Sequence, residues 1–244
     1  MTSNGVALVT GANRGLGKET GRQLARGGWT VVLGSRDTGR GAEAARELAT
    51  AGEVVPIPLD VTDPAGVRAA ATWLERTYGR LDVLVNNAGV TADALALDTK
   101  AAELRHVFEV NVFGVVTVIH ETLPLLRRSP APRIVNVSST TASLGLTSEG
   151  HDLPGDAERR LAYASSKAAL NMLTVQYARA FGRDPALAHV KINAASPGYT
   201  ATDMNGHRGT RTVAEGARAL VALALLPDDG PTGRFFDDRG PLPW

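Results

Sequence analysis

A phenol and an ammonium stand four residues apart in Tyr163-Ala-Ser-Ser-Lys167. On a helix that spacing brings both to one face, one turn apart. A cation beside a phenol favours the phenolate, so the tyrosine pKa is expected to fall from about 10 toward the working range. A phenol tuned in that way can give or take a proton at a carbonyl or alcohol oxygen. Taken alone, Tyr-x-x-x-Lys is most often a pair on a helix surface. It gains meaning only if the chain also builds a cofactor site facing it.

The start of the chain offers that site. Gly5–Thr10 is a short apolar run with β-branched members, the pattern of a buried strand. Gly11-Ala-Asn-Arg-Gly15-Leu-Gly17 follows at once, and Lys18–Arg26 has helical periodicity. Strand, glycine turn and helix together make a phosphate cradle, because the helix N-terminus presents free N–H groups and glycines let a pyrophosphate approach the backbone. The second strand, Trp29–Gly34, ends in Ser35-Arg36. An enzyme that prefers NAD places Asp or Glu about twenty residues after the glycines, to hold the ribose 2′-hydroxyl. A guanidinium there attracts a 2′-phosphate instead, and Arg14 in the glycine turn adds a second positive charge. NADPH/NADP+ is therefore the expected cofactor.

The elements that must position these groups alternate to the end of the chain. Thr38–Ala51 reads as an amphipathic helix, Val54–Leu59 as a third strand and Asp63–Tyr78 as a helix capped by Asp63 with Pro64 at its first position. Leu81–Val85 is a fourth strand, ending in Asn86-Asn-Ala-Gly89. Lys100–Leu126 is a long helical stretch with Asn111 in its middle, where a mildly unfavourable residue marks either a kink or a ligand. Arg133–Ser138 is a fifth strand, with Ser138-Ser139 at its carboxyl end. Thr140–Arg160 is the least regular part. Gly, Pro and charged residues cluster from Glu149 onward, so 143–160 is expected to be an exposed, partly mobile insertion. Leu161–Phe181 is the helix carrying Tyr163, and Val190–Ala195 a sixth strand. Ser196–Met204 forms a loop at the same edge, 199–212 a candidate lid, and Thr212 the cap of a helix over Val213–Leu226. The aromatic tail, Gly233–Trp244, supplies a last strand and a packed end. The reading is α/β: one doubly wound domain over 1–244, with a mainly parallel sheet of about seven strands.

Bulk properties narrow the alternatives. The chain has 244 residues, 43% apolar and 21% charged, with a net charge of +1. That charge makes no case for nucleic acid as a partner. No cysteine is present, and five histidines show no paired ligand spacing, so no metal site is expected. No uninterrupted apolar run approaches the roughly 18 residues of a membrane span, and a signal peptide would need a basic start. A cytoplasmic protein with no membrane partner is the expectation.

These elements, in this order, resemble the short-chain dehydrogenase/reductase family, over nearly the full chain. The resemblance rests on Thr10-Gly11-x-x-x-Gly15-x-Gly17, Asp60-Val61, Asn86-Asn-Ala-Gly89, Asn111, the serine pair, Tyr163-x-x-x-Lys167 and Pro197-Gly198 followed by Thr202. It implies a Rossmann fold and the reversible, NADPH-dependent reduction of a ketone or aldehyde to an alcohol. Tyr163 would be the general acid/base, Lys167 its pKa partner and ribose ligand, Ser139 the group polarising the substrate oxygen, and Asn111 the holder of a water chain to Lys167. Gly11, Asn13, Arg14, Gly15, Leu16 and Gly17 would cradle phosphate, with Arg36 on the 2′-phosphate. Asp60 and Val61 would meet adenine, and Asn87, Ala88 and Gly89 the adenosine ribose side. Pro197, Gly198, Thr200 and Thr202 would cover the nicotinamide.

Within the family the chain looks like the carbonyl-reductase branch, through Arg14, Arg36, Ala222-Leu-Ala-Leu-Leu-Pro-Asp-Asp-Gly-Pro-x-Gly-x-Phe235 and Trp244. Ser139 and Tyr163 are spaced more widely than in most members. An insertion there lies over helices that other members use to dimerise, which makes a monomer possible while leaving homodimer and tetramer open. Two other functions remain at this stage: a specialised ketoreductase of secondary metabolism, and a catalytically silent NADP(H)-binding regulator. The second is disfavoured by the presence of Ser139, Tyr163, Lys167 and Asn111 together.

Overall fold

A computed structural model describes residues 4–151, 153 and 157–244. The apolar runs become eight strands of one sheet: β1 (Val6–Thr10), β2 (Thr30–Ser35), β3 (Val54–Pro58), β4 (Val83–Asn86), β5 (Arg133–Val137), β6 (Lys191–Ala195), β7 (Phe235–Asp237) and β8 (Gly240–Pro241). Their order is β3-β2-β1-β4-β5-β6-β7-β8, parallel throughout except for the final β7–β8 hairpin. The count exceeds the expected seven because β8 is a two-residue strand, too short to leave a period in the sequence.

Alternate residues of each strand feed two cores, since successive side chains point to opposite faces. Val6, Leu8, Leu84, Ile134 and Ile192 pack with α3 (Pro64–Tyr78), α5 (Gly114–Leu126) and α7 (Leu161–Arg183). Ala7, Val9, Val83, Val85, Val135 and Val137 pack with α1 (Gly15–Arg26), α2 (Thr38–Leu48) and α8 (Val213–Ala224). Chain direction along the sheet reverses between β1 and β4, so the loops after these strands part and open a crevice at their carboxyl ends.

The caps hold where they were expected. The Asp63 side chain accepts from Ala65 N at 3.1 Å with Pro64 next, and Thr212 forms a reciprocal capping box with Glu215. The single helix expected over Lys100–Leu126 is instead α4 (Ala101–Phe108), a π-helical turn at Glu109–Phe113, and α5. Averaged over its best window this stretch has a mean hydropathy of 1.3, enough by length and composition to cross a membrane. A reading of uninterrupted runs misses it because Arg105, His106, Glu109, His120 and Glu121 break the apolar sequence. Half of that window is buried inside the protein, as in a core helix.

The stretch expected to be irregular before Tyr163 contains α6 (Leu144–Ser148), whose N-cap Ser143 accepts from Leu146 N at 3.1 Å, and a 3-10 turn at Ala157–Arg159. Residues 152 and 154–156 of the 143–160 segment lie outside the described residues. The aromatic tail packs as anticipated: the Trp244 ring stacks on Phe235 with centroids 5.7 Å apart.

Candidate active site

The crevice at the strand ends is a cleft of about 840 Å³. Its first wall is main chain. Gly11 (φ +61°) and Gly15 (φ +52°) sit in the left-handed region, and a Cβ on Gly11 would lie 2.9 Å from Ala88 Cα. A Cβ on Gly17 would come within 2.8 Å of the Gly11 carbonyl oxygen. Side chains are excluded there, so a ligand can reach the backbone. The α1 N-terminus has no side-chain cap and no acidic residue in its first turn, which leaves its N–H groups and positive dipole end for an anion.

The turn after β4 is pinned to this wall. Asn87 Nδ2 donates to Thr10 O (2.8 Å) and Gly11 O (3.1 Å), while Thr10 Oγ1 accepts from Asn87 N and Ala88 N, both at 3.0 Å. Asp60 also faces the cleft, its carboxylate fixed by Thr62 N (3.0 Å) and Thr62 Oγ1 (2.7 Å). Gly11, Asn13, Arg14, Gly15, Leu16, Gly17, Arg36, Asp60, Val61, Asn87, Ala88, Gly89, Pro197, Gly198, Thr200 and Thr202 all line this one cleft, with Ser139, Tyr163 and Lys167.

Asn111 does not line it. The extra residue of the π-helical turn points its amide back under the floor, where Oδ1 accepts from Val90 N and Nδ2 donates to Val90 O, both at 2.9 Å. Nδ2 also reaches Ser166 Oγ at 3.0 Å, and Ser166 Oγ donates to Tyr163 O at 2.7 Å. Asn111 therefore touches the α7 turn that carries Tyr163. Gly89 lies between it and the lysine: a Cβ there would be 3.3 Å from Asn111 Oδ1 and 3.5 Å from Lys167 Nζ.

Tyr163 and Lys167 occupy one face of α7, with Nζ 5.7 Å from the phenol ring centroid. Lys167 Nζ donates to Val137 O at 2.7 Å, tying α7 to the end of β5. Ser139, just past that strand, is the N-cap of a 3-10 turn over Thr140–Ala142 and shares a 2.9 Å hydrogen bond with Thr141 Oγ1. Its neighbour Ser138 points the other way, buried, and donates to Asn171 Oδ1 at 2.6 Å. The serine pair thus divides its work: one hydroxyl faces the cleft side of α7 and one anchors the strand end to it.

The expected fall in the tyrosine pKa is corrected here. Burial pushes the largely covered Tyr163 phenol up to about 12, only partly opposed by its hydrogen bond with Ser139. Burial likewise pulls Lys167 down to about 8. The reason is desolvation: the ammonium that was to lower the phenol is itself in a site that disfavours charge. At neutral pH the phenol is a proton donor.

Several cleft residues carry no motif. Arg40, in the first turn of α2, lines the same cleft as Arg36 and pairs with Asp37 at 3.4 Å. Its basic side chain a few residues past Arg36 was the only signal, since Arg36 itself precedes the helix. Arg14 pairs with Asp203 at 3.2 Å, which joins the glycine turn to the segment after Thr202. Tyr199, Met204, Arg208 and Val90–Asp93 also line the cleft and have no local signature. Among the described residues no group of three or more His, Asp or Glu side chains could hold a metal ion.

A family model described as short chain dehydrogenase matches residues 5–212. Salutaridine reductase of Papaver bracteatum is 34% identical, over 97% of this chain and 95% of that one. Carbonyl reductase [NADPH] 1 of Rattus norvegicus is also 34% identical, over 98% of each. Among solved structures, NADPH bound carbonyl reductase from chicken fatty liver superposes with a TM-score of 0.84 at 26% identity, covering 100% of both chains. The Pseudomonas aeruginosa RhlG/NADP active-site complex gives 0.84 at 29% identity, covering 97% of this chain and 95% of that one.

Proposed function

The chain belongs to the short-chain dehydrogenase family, and from that premise we propose that it uses NADPH to reduce a ketone or aldehyde carbonyl of a small molecule to an alcohol. The observation that carries the reading is the meeting of Ser139, Tyr163 and Lys167 in one cleft with the glycine cradle and Arg36.

The donor set suits NADP(H). The uncapped α1 N-terminus and the glycines that exclude Cβ atoms would hold the pyrophosphate. Arg36, with Arg14 and Arg40 nearby, would hold the 2′-phosphate, the adjoining Asp37 carboxylate being paired with Arg40. When bound, the reduced nicotinamide supplies the hydride that adds to the substrate carbon.

The side chains supply the rest. The Ser139 hydroxyl, oriented by Thr141, and the Tyr163 phenol would both donate to the carbonyl oxygen. Charge grows on that oxygen only as the carbon is reduced, so these donors favour the transition state over the ground state. Tyr163 then gives its proton to the oxygen. Lys167, held by Val137 O, keeps a positive charge near the phenolate so formed and would bind the nicotinamide ribose. Asn111 holds Val90 and the Tyr163 turn of α7 in register beneath.

Names of relatives divide between a general carbonyl reductase and enzymes named for one compound, such as (-)-isopiperitenone reductase of Mentha piperita. The test is consumption of NADPH, followed by absorbance, with a panel of aldehydes, ketones and quinones. Turnover of at least one carbonyl compound is expected. Tight NADPH binding with no turnover across the panel would instead favour a cofactor-binding regulator, and failure to bind NADPH would end the proposal.

A further inference from the structure

The loop Pro197–Thr202 lines the cleft beside Tyr163 and has little regular structure of its own. Asn205 bonds its end, with Nδ2 donating to Thr200 O at 2.9 Å, and Arg211 holds its middle. Arg211 pairs with it through the backbone: Arg211 N donates to Tyr199 O at 3.1 Å and Ala201 N donates to Arg211 O at 2.8 Å, forming an isolated parallel bridge with Thr200. The Arg211 side chain then folds beneath the same loop. Gly198 (φ +70°) lies so close that a Cβ would be 2.9 Å from Arg211 Cδ and Nη1. The guanidinium ends on the β7–β8 hairpin, where Nη1 donates to Asp238 Oδ1 at 2.8 Å and Nη2 also bonds Asp238. Both side chains are about four-fifths covered, being 22% and 20% exposed. Nη2 further reaches Glu215 O at 3.3 Å, in the first turn of α8.

We propose that Arg211 is the positioning residue of the cleft loop and that the C-terminal hairpin, through Asp238, fixes how closely that loop covers the cofactor and carbonyl. A planar fork bound on two sides to one carboxylate cannot slide, unlike a single long ammonium. Packing against Gly198 passes that constraint to the backbone that lines the cleft. The inference rests on the reductase reading for what the loop covers, but the anchoring itself does not.

Two variants separate these points. Asp238→Asn keeps the shape and removes the charge; Arg211→Lys keeps the charge and removes the fork. Amide hydrogen exchange is measured by mass spectrometry on both, beside the NADPH affinity and the kcat and KM for a carbonyl substrate. Losing one charge-assisted hydrogen bond should speed exchange across 199–211 by about tenfold or more, leaving the β1–β6 core at the wild-type rate. NADPH affinity should weaken roughly 3- to 30-fold while kcat at saturation changes far less, and Asp238→Glu should restore most of the loss. Wild-type exchange over 199–211 in both variants would overturn the proposal. So would acceleration spread evenly through the sheet, which marks a purely structural pair. If the wild type itself binds no NADPH, the functional reading falls, and exchange over 199–211 still decides the anchor.

Discussion

The two ends of the cleft are built by different means. The end next to β1 and β2 is made from main chain: glycines that exclude side chains, an uncapped helix start, and Asn87 bonded to the carbonyls of Thr10 and Gly11. Its walls are two short stretches, the glycine turn and Asn86–Gly89, each recognisable by itself. The far end is held by ties between segments distant in sequence. Arg159 pairs with Asp93 at 2.8 Å, Ala96 N donates to Glu158 O at 2.8 Å, and Gly145 N donates to Trp244 O at 3.0 Å. A backbone-built wall admits few sequences, and so leaves a motif. A wall of loops tied to one another can be re-specified by changing a few loop residues, which would suit an end that selects substrates while the chemistry stays fixed.

The most severe way to probe this contrast acts where the two ends meet. Tyr163→Phe should lower kcat by about 10²- to 10⁴-fold with NADPH binding retained; turnover near the wild-type rate would remove the tyrosine from the mechanism. Next in size is the backbone-built end. Arg36→Asp should cut the ratio of NADPH to NADH efficiency by roughly 10- to 100-fold, the worth of one charge-assisted hydrogen bond made repulsive. An unchanged ratio would mean that the 2′-phosphate is read elsewhere.

Acidity comes third and has a definite sign. With Lys167 near 8, its ammonium is lost as pH rises through that value, so carbonyl reduction should fall by about tenfold per pH unit beyond it. Stability should move the other way. A lysine whose folded pKa lies below its unfolded value binds fewer protons when folded, so unfolding becomes harder between about pH 8 and 10. Above about 10 the trend should reverse. Tyr78, Tyr163 and Tyr177 are held protonated by burial in the folded state and ionise once unfolded. Activity and melting temperature that decline together from pH 8 would sink this account. The smallest effect is expected from the tie-built end: Asp93→Asn, at an exposed pair, should change stability by less than about 1 kcal/mol. A larger loss would show that this end is as rigid as the other.

The same contrast explains what the sequence made legible. β-Branched runs, Asp63-Pro64, Thr212 and the glycine turn encode their geometry within a few residues, and each lies where its local chemistry required. The eighth strand has only Gly240 and Pro241. α6 depends on Ser143 as a cap in a stretch with little period, and Asp203 is recognisable only by its partner Arg14 across the cleft. The direction of the Tyr163 shift could not be read from spacing, because i and i+4 fix proximity but not how dry the pair becomes. Asn111 was visible as an odd residue in a helix; that it is bonded beneath Val90 needed the tertiary structure.

That π-helical turn has one more consequence. Deleting a single residue from Glu109–Phe113 would let an ordinary helical turn close there, and because one wide turn takes up one extra residue, the helix beyond it would keep nearly its present phase. Val115, Val118 and Ile119 would stay on the core face, but the turn that aims Asn111 at Val90 would be lost. The surplus residue therefore serves the cleft floor more than the core, and shortening the turn should cost activity before it costs the fold.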